Sequence, residues 1–373
     1  MLLLLAACAT TETPAPEAVD SPEALGPWAV SHTGFDITDA ARQGRTLRLD
    51  VWFPVEPADA EGLDPVSYDL SAGILLPSDR AVAFAPPSRG AHPLIVFSHG
   101  YNGINTQAIT LMEALASHGF VVASPEHTGN AQASPTDPYD TAARNRVPDV
   151  SFVIDELIAR AADDDDLLYR TVDGERIGVA GHSFGGMTAL GAASGWAEAP
   201  ADPRVDAVMP ISAVIQGDLQ ADDRPSPYAG FTAEQLASVT VPVMLMGGTE
   251  DLAVPIGNNQ LACDGLTSAP AVYDVAIDGA NHTHFANVCA IGARLVELGF
   301  EEDAWAGLGA GDLLEPYEAT CSDEAFPVEE VLRLLDTFAV AFFRRHVLDE
   351  VGYDAWLTEA HADTEPDVAL QVR

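Results

Sequence analysis

Lysine is absent from this 373-residue chain, cysteine occurs four times, and cations are scarce: 17 Lys+Arg, all of them Arg, face 57 Asp+Glu for a formal charge of −40. A field of that sign excludes nucleic acid and anionic lipid surfaces as partners, because no basic patch outweighs it. It also disfavours strongly anionic substrates, which leaves neutral or zwitterionic ones. Past the first few residues no apolar run approaches a membrane span. There is no H-E-x-x-H, no P-loop and no G-x-G-x-x-G after the first strand, so no metal or nucleotide cofactor is expected. What the chain does have is apolar material, 47% of residues against 20% charged. That is enough for a large packed core and excludes wholesale disorder.

The chain opens MLLLLAACATTETPAPEAVDSPEA. Leu5-Ala6-Ala7-Cys8 has the form of a bacterial lipobox, in which Cys8 is lipidated and becomes the mature first residue. The apolar stretch before Cys8 is shorter than the roughly 7–15 residues of a normal hydrophobic region and has no cationic lead, so the true start is expected upstream. Residues 1–8 read as a truncated lipoprotein signal. Residues 9–25, rich in Thr, Pro, Ala and Glu, read as a solvated tether. The expected location is the bacterial cell envelope or the exterior, with membrane attachment only through Cys8. An exported chain can hold a disulfide. Cys289 and Cys321 are one pair that could staple the C-terminal region, leaving Cys263 free; the alternative is no disulfide, and spacing alone does not decide the pairing.

Strand-like and helix-like stretches then alternate. Residues 46–53, 93–98, 120–124, 176–180, 205–211, 241–246 and 271–277 read as strands, and 106–117, 149–160, 183–195 and 328–345 as helices. Apolar strands alternating with helices imply an α/β fold with a mainly parallel central sheet and helices on both faces. One catalytic domain is expected over residues 26–352, with a C-terminal tail at 353–373. Residues 218–237 read as a small cap near the site and 299–326 as a second insertion. The acidic run Asp163-Asp164-Asp165-Asp166 reads as a solvated turn, since no spaced ligand pattern accompanies it.

The strongest chemical signal is Gly181-His182-Ser183-Phe184-Gly185-Gly186. It fits G-x-S-x-G and sits between a strand and a helix, where a sharp turn needs small flanking residues to project a nucleophile. Ser183 is therefore the candidate nucleophile. A serine needs a base, and the base needs an orienting carboxylate, in the chain order Ser, acid, His. The acid is expected after strand 241–246, at Asp251 with Glu250 as the adjacent alternative. The base is expected after strand 271–277, at His282. His284 is the alternative base or a pocket residue, and His182 is expected to fill or hydrogen-bond the site. The backbone N–H of Phe184, following the nucleophile, and that of Tyr101, in the loop Ser98-His99-Gly100-Tyr101-Asn102-Gly103, are the expected oxyanion donors. His282 and His284 lack a third ligand of suitable spacing for a metal.

The stretches PLIVFSHGYNG, LASHGFVVASPEHTGN, RIGVAGHSFGG and GANHTHF together resemble the α/β-hydrolase superfamily. Within it they resemble the platelet-activating-factor acetylhydrolase (isoform II)-like and dienelactone-hydrolase-like group, with bacterial cutinase-type polyester hydrolases as neighbours. The resemblance spans residues 93–285. Its G-x-x-H-x-x-F pattern favours His282, while H-F-A-N at His284 echoes the polyester hydrolases. In the animal acetylhydrolases the acid follows the preceding strand; here that region reads MPISAVIQGD with no Asp at the strand end, which favours Asp251. Tyr101 after His-Gly is similar to the tyrosine that polyester hydrolases place at the oxyanion loop. The resemblance implies a serine ester hydrolase acting through an acyl-enzyme, and the lipobox adds the expectation of export. Its rivals are an interfacial lipase or polyester hydrolase, an enzyme for amide or thioester bonds, and a non-catalytic surface lipoprotein that uses the fold to bind.

Overall fold

The computed structural model describes residues 19–70, 74–134, 136–217, 220–221, 224–308 and 310–373. The expected lipidation site Cys8 lies outside them. Eleven strands form one sheet: β1 Ala29–Asp39, β2 Arg45–Val55, β3 Pro65–Asp69, β4 Leu75–Val82, β5 His92–Ser98, β6 Val121–Glu126, β7 Val172–His182, β8 Val205–Ile211, β9 Val243–Gly248, β10 Val272–Ile277 and β11 Val368–Val372. Their spatial order is β11-β10-β9-β8-β7-β5-β6-β2-β1-β4-β3. The block from β6 to β10 is parallel throughout, while β2 joins β6, and β11 joins β10, antiparallel.

Parallel strands are covered on both faces and so read as unbroken apolar runs. In β5, Leu94 and Val96 face one core with Val147, Val150 and Met187, whereas Ile95 and Phe97 face the other with Leu111, Leu115 and Phe338. Helices α1 Ile109–Ser117 and α7 Val328–Val347 cover the second face. Helices α2 Tyr139–Ala162, α3 Phe184–Ser194 and α4 Gly257–Gly265 cover the first. Two further helices, α5 Val288–Glu297 and α6 Leu314–Cys321, stand above the carboxyl ends of the strands. In α7, buried Val331, Leu334, Leu335, Phe338 and Phe342 recur at helical spacing. Glu329 and Glu330 open it and Arg344, Arg345 and His346 close it, as the helix dipole favours. The mainly parallel sheet with helices on both faces is the α/β-hydrolase fold.

Three differences from the sequence reading have physical causes. Helix α2 begins at Tyr139 and carries Pro148 in its interior; the expected start at 149 follows the usual rule that proline ends a helix. Burial of Ala142, Ala143 and Val147 on one side compensates the lost backbone bond. Residues 353–373 are not a loose tail: Tyr353 is fully buried, and β11 zips onto β10 from Tyr273↔Val372 to Ile277↔Val368. Residues 218–237, expected as a cap, contribute no described residue to the cavity above Ser183, whereas Leu308, Leu313 and Pro316 of the 299–326 segment do.

Candidate active site

Strand order reverses around β5, whose neighbours β6 and β7 lie on opposite sides. Such switch points open a crevice at the carboxyl ends of the strands, and here β5 ends at Ser98 and β7 at His182. Ser183 follows at φ 58°, ψ −118°, a strained conformation for a residue with a side chain. Its N–H donates to Ile211 O at 2.8 Å, which braces the turn against β8. The flanking glycines are steric necessities. A Cβ on Gly181 would stand 2.2 Å from Gly185 O, and one on Gly185 1.8 Å from Ser98 O. Phe184 is the first residue of α3, so its N–H is among those a helix leaves without an intrahelical acceptor.

The loops after β9 and β10 are laced together: Thr249 N–H donates to Ile277 O and Glu250 N–H to Ala280 O, both at 3.0 Å. This brings Asp251 against His282, whose Nδ1 donates to Asp251 Oδ2 at 2.8 Å. Asp251 Oδ1 accepts from Ala253 N–H at 2.9 Å and Val254 N–H at 2.7 Å. Burial alone would raise the Asp251 carboxyl, but the hydrogen bond and charge of His282 and the Val254 N–H outweigh it and hold it below the usual value. With Nδ1 committed as donor, Nε2 of neutral His282 is an acceptor. Glu250, the neighbouring carboxylate, is exposed and lines a different hollow, together with His284.

His284 is therefore neither base nor a wall of the Ser183 cavity. It is buried, Nδ1 accepts from Asn281 N–H at 2.9 Å, and Nε2 donates to Phe326 O at 3.0 Å. His182 does line the cavity. Its Nδ1 accepts from Gln107 Nε2 at 2.7 Å and its Nε2 donates to His282 O at 2.9 Å. Burial and the adjacent His282 push His182 down to about 3, so it is a neutral spacer that fixes the His282 backbone. Gln107 Oε1 in turn accepts Gly100 N–H at 2.8 Å. One chain of hydrogen bonds thus runs from the Gly100 loop to the histidine, and nothing in the linear pattern singled out Gln107.

A second serine–histidine–aspartate chain lies beneath the loop. Ser98 Oγ donates to His127 Nε2 at 3.0 Å, and His127 Nδ1 donates to Asp149 Oδ2 at 2.9 Å. All three are buried to within 1%, so no substrate reaches Ser98. Burial and nearby Arg146 push His127 down to about 4.

Above Ser183 lies a cavity of about 370 Å³. Gly100, Tyr101, Gln107, His182, Ser183 and His282 line its floor. Leu70, Ile74, Val288, Ile291, Leu295, Leu308, Leu313 and Pro316 form an apolar wall. That wall is stapled by Cys289–Cys321, with Cα atoms 5.5 Å apart, joining α5 to the end of α6, and Cys263 is free. The Tyr101 ring meets Phe184 edge-on at 5.3 Å and stacks on Tyr139 at 5.9 Å. The arrangement can deliver a serine alkoxide equivalent to a carbonyl held against an apolar surface.

The chlorophyllase family model matches residues 66–296, well over half of the chain, a span that includes Tyr101, Ser183, Asp251 and His282. The chain is 24% identical over 226 residues to chlorophyllase type 0 of Chenopodium album, covering 58% of each protein. It is 26% identical over 204 residues to cutinase 1 of Thermobifida cellulosilytica, covering 54% of this chain and 64% of that protein. It thus spans less than two thirds of the length of these relatives. A solved ferulic acid esterase from Streptomyces cinnamoneus superposes with a TM-score of 0.63 at 24% identity, over 96% of this chain and 98% of the other. At that identity the likeness speaks to the fold.

Proposed function

This chain belongs to the chlorophyllase family, and from that membership we propose that it is a serine ester hydrolase working through an acyl-enzyme. The observation that carries the reading is the 2.8 Å hydrogen bond from His282 to Asp251, with His282 and Ser183 both on the floor of one cavity. Ser183 Oγ bonds to the ester carbon as His282 Nε2 takes its proton, and the carbonyl π pair moves onto oxygen. Phe184 and Tyr101 N–H groups receive that oxyanion. Its collapse breaks the ester C–O bond, and the alcohol leaves with the proton from His282. Water then deacylates Ser183 by the reverse path. Attack needs the neutral tautomer of His282 with its proton on Nδ1 and Nε2 free to accept.

The apolar wall suits a hydrophobic acyl or alcohol group, and the −40 charge favours neutral or zwitterionic esters. A second reading, a polyester hydrolase working at an interface, is supported by the cutinase relatives and by Tyr101, 39% exposed at the cavity. An acetylhydrolase-like enzyme would prefer short acyl chains on dispersed substrate. Hydrolysis of p-nitrophenyl esters from acetyl to long chain, alongside a polyester film, separates these readings. Inactivity on every ester refutes them all. Export belongs to the same proposal and is supported by the Cys289–Cys321 bridge, which oxidising compartments permit. Fractionation of the native host tests it, and recovery in the cytosol would count against it.

A further inference from the structure

Beneath the loop that carries Tyr101 lies a buried cation that the catalytic scheme has not used. Arg146, on α2, is fully buried, and it spends its fork on neutral acceptors. Nη1 donates to His99 O at 2.5 Å and Ser98 Oγ at 3.1 Å. Nη2 donates to Gly100 O at 2.9 Å and also to Asn130 Oδ1, and Nε donates to Asn130 Oδ1 at 3.2 Å. The adjacent Asp149 gives its ion pairs to Arg42 and Arg45 instead. Burying a guanidinium on carbonyls is costly. Burial pulls it down to about 9 against the opposing pull of Asp149, so it is still a cation at neutral pH.

Peptide geometry shows what the cation achieves. There is no cis peptide among the described residues, and in a trans unit the C=O and N–H point opposite ways. Gly100 O accepts from Arg146 Nη2, from His99 Nδ1 at 2.7 Å and from Gly103 N–H at 3.2 Å. Three donors on that carbonyl fix the direction of the Tyr101 N–H on the opposite edge of the same plane. Asn130, clasped by Arg146, extends Nδ2 to Asn102 Oδ1 at 3.1 Å, and Asn102 holds the loop's left-handed position at φ 52°. The same guanidinium lies 4.8 Å from the centroid of the Phe184 ring. One cation therefore touches both arms of the oxyanion hole.

We propose that Arg146 is the positioning residue of the oxyanion hole: it holds the Gly100–Tyr101 peptide plane and Phe184 in register and fixes a positive charge behind the forming oxyanion. This rests on the serine-esterase reading above. A charge that acts on the anionic intermediate more than on the neutral ester shows in kcat rather than KM.

The test compares Arg146→Gln and Arg146→Lys with wild type on p-nitrophenyl esters. Active sites are counted by a p-nitrophenyl phosphonate reaction carried to completion, so that misfolded protein drops out. The expected result for Arg146→Gln is a loss of roughly 10- to 100-fold in kcat per titrated site, with KM within about threefold. Arg146→Lys recovers part of that loss, because it keeps the charge but not the fork. A merely structural role would lower the titratable fraction and Tm but leave kcat per site within about twofold, and that result overturns the proposal. If Arg146→Gln fails to fold, Asn130→Ala carries the test: it frees Asn102 and one edge of the guanidinium, and a smaller kcat loss at constant KM is expected. An unchanged kcat per site in that variant also overturns the proposal. A wild type that neither hydrolyses esters nor takes up phosphonate refutes the esterase reading itself. An active wild type with unaltered Arg146 variants refutes only the positioning role.

Discussion

Asp251→Asn is a substitution whose outcome the geometry dictates. Asp251 Oδ1 accepts two backbone N–H groups, from Ala253 at 2.9 Å and Val254 at 2.7 Å, and only an oxygen can sit there. The new amide nitrogen must then occupy the Oδ2 position, 2.8 Å from His282 Nδ1, where it donates. Nδ1 becomes the acceptor, the proton moves to Nε2, and the imidazole can no longer take a proton from Ser183. The corresponding exchange in Ser-His-Asp enzymes lowers kcat by about 10⁴, or about 5.5 kcal/mol of transition-state stabilisation. A loss of about 10³–10⁴ in kcat is expected here, with KM nearly constant. Because the turn bonds survive, Tm should barely move. Asp251→Ala, by contrast, orphans the buried Val254 N–H, worth about 1–3 kcal/mol, and should lower Tm as well. The assay is steady-state hydrolysis of a short p-nitrophenyl ester, with thermal melts of both variants. A loss below about tenfold in a fully folded Asp251→Asn protein would refute the assignment of Asp251 as the orienting acid.

Gln107→Ala should lower kcat by roughly tenfold and also lower Tm, because it leaves buried His182 Nδ1 and Gly100 N–H without partners; an unchanged kcat would break the relay from Gly100 to His282. Cys289→Ser should destabilise the chain by up to about 3–4 kcal/mol in a denaturant titration, the loop-closure value for a bridge spanning 32 residues. It should also raise KM for long-chain esters more than for acetyl, since the bridge staples the apolar wall; equal effects on both would detach the wall from substrate binding. Asp336 is buried beside Arg80 at 3.3 Å with Oδ1 unpartnered, and burial raises its carboxyl from 3.8 to about 7 despite Arg80. The folded state then binds the extra proton, so wild-type stability falls as pH rises from about 4 to about 7. Asp336→Asn should therefore melt higher than wild type at pH above 7 and match it below about 4; parallel melting curves across that range would contradict this sign.

The candidate residues Ser183, Asp251 and His282 could be picked out because each follows a strand whose apolar run is itself legible, and because the turn's backbone approach to Ser98 O and Gly185 O tolerates only glycine. The choice between Asp251 and Glu250, or His282 and His284, was less legible. It depends on the lacing of two loops that are distant in sequence. The outer strands β1, β3, β4 and β11 were missed because their exposed positions break the apolar run. Segment 299–326 was weakly periodic because two 3₁₀ turns, Glu302–Leu308 and Gly311–Leu313, with Trp305 fully buried in the first, precede the short helix α6. Arg146 carried a signal in retrospect: it stands with Ala142, Ala143, Val147 and Val150 on the buried side of α2. Its purpose becomes visible only when residues 98–102, 127–130 and 146–149 meet.

The most direct test of the central claim is the intact mass of wild type and Ser183→Ala after reaction with a fluorophosphonate, read beside ester turnover of the same samples. Wild type should carry a single adduct, mapped to Ser183, with hydrolysis lost in step. Ser183→Ala should show neither adduct nor turnover. An adduct on Ser98, or ester hydrolysis retained by Ser183→Ala, would contradict it.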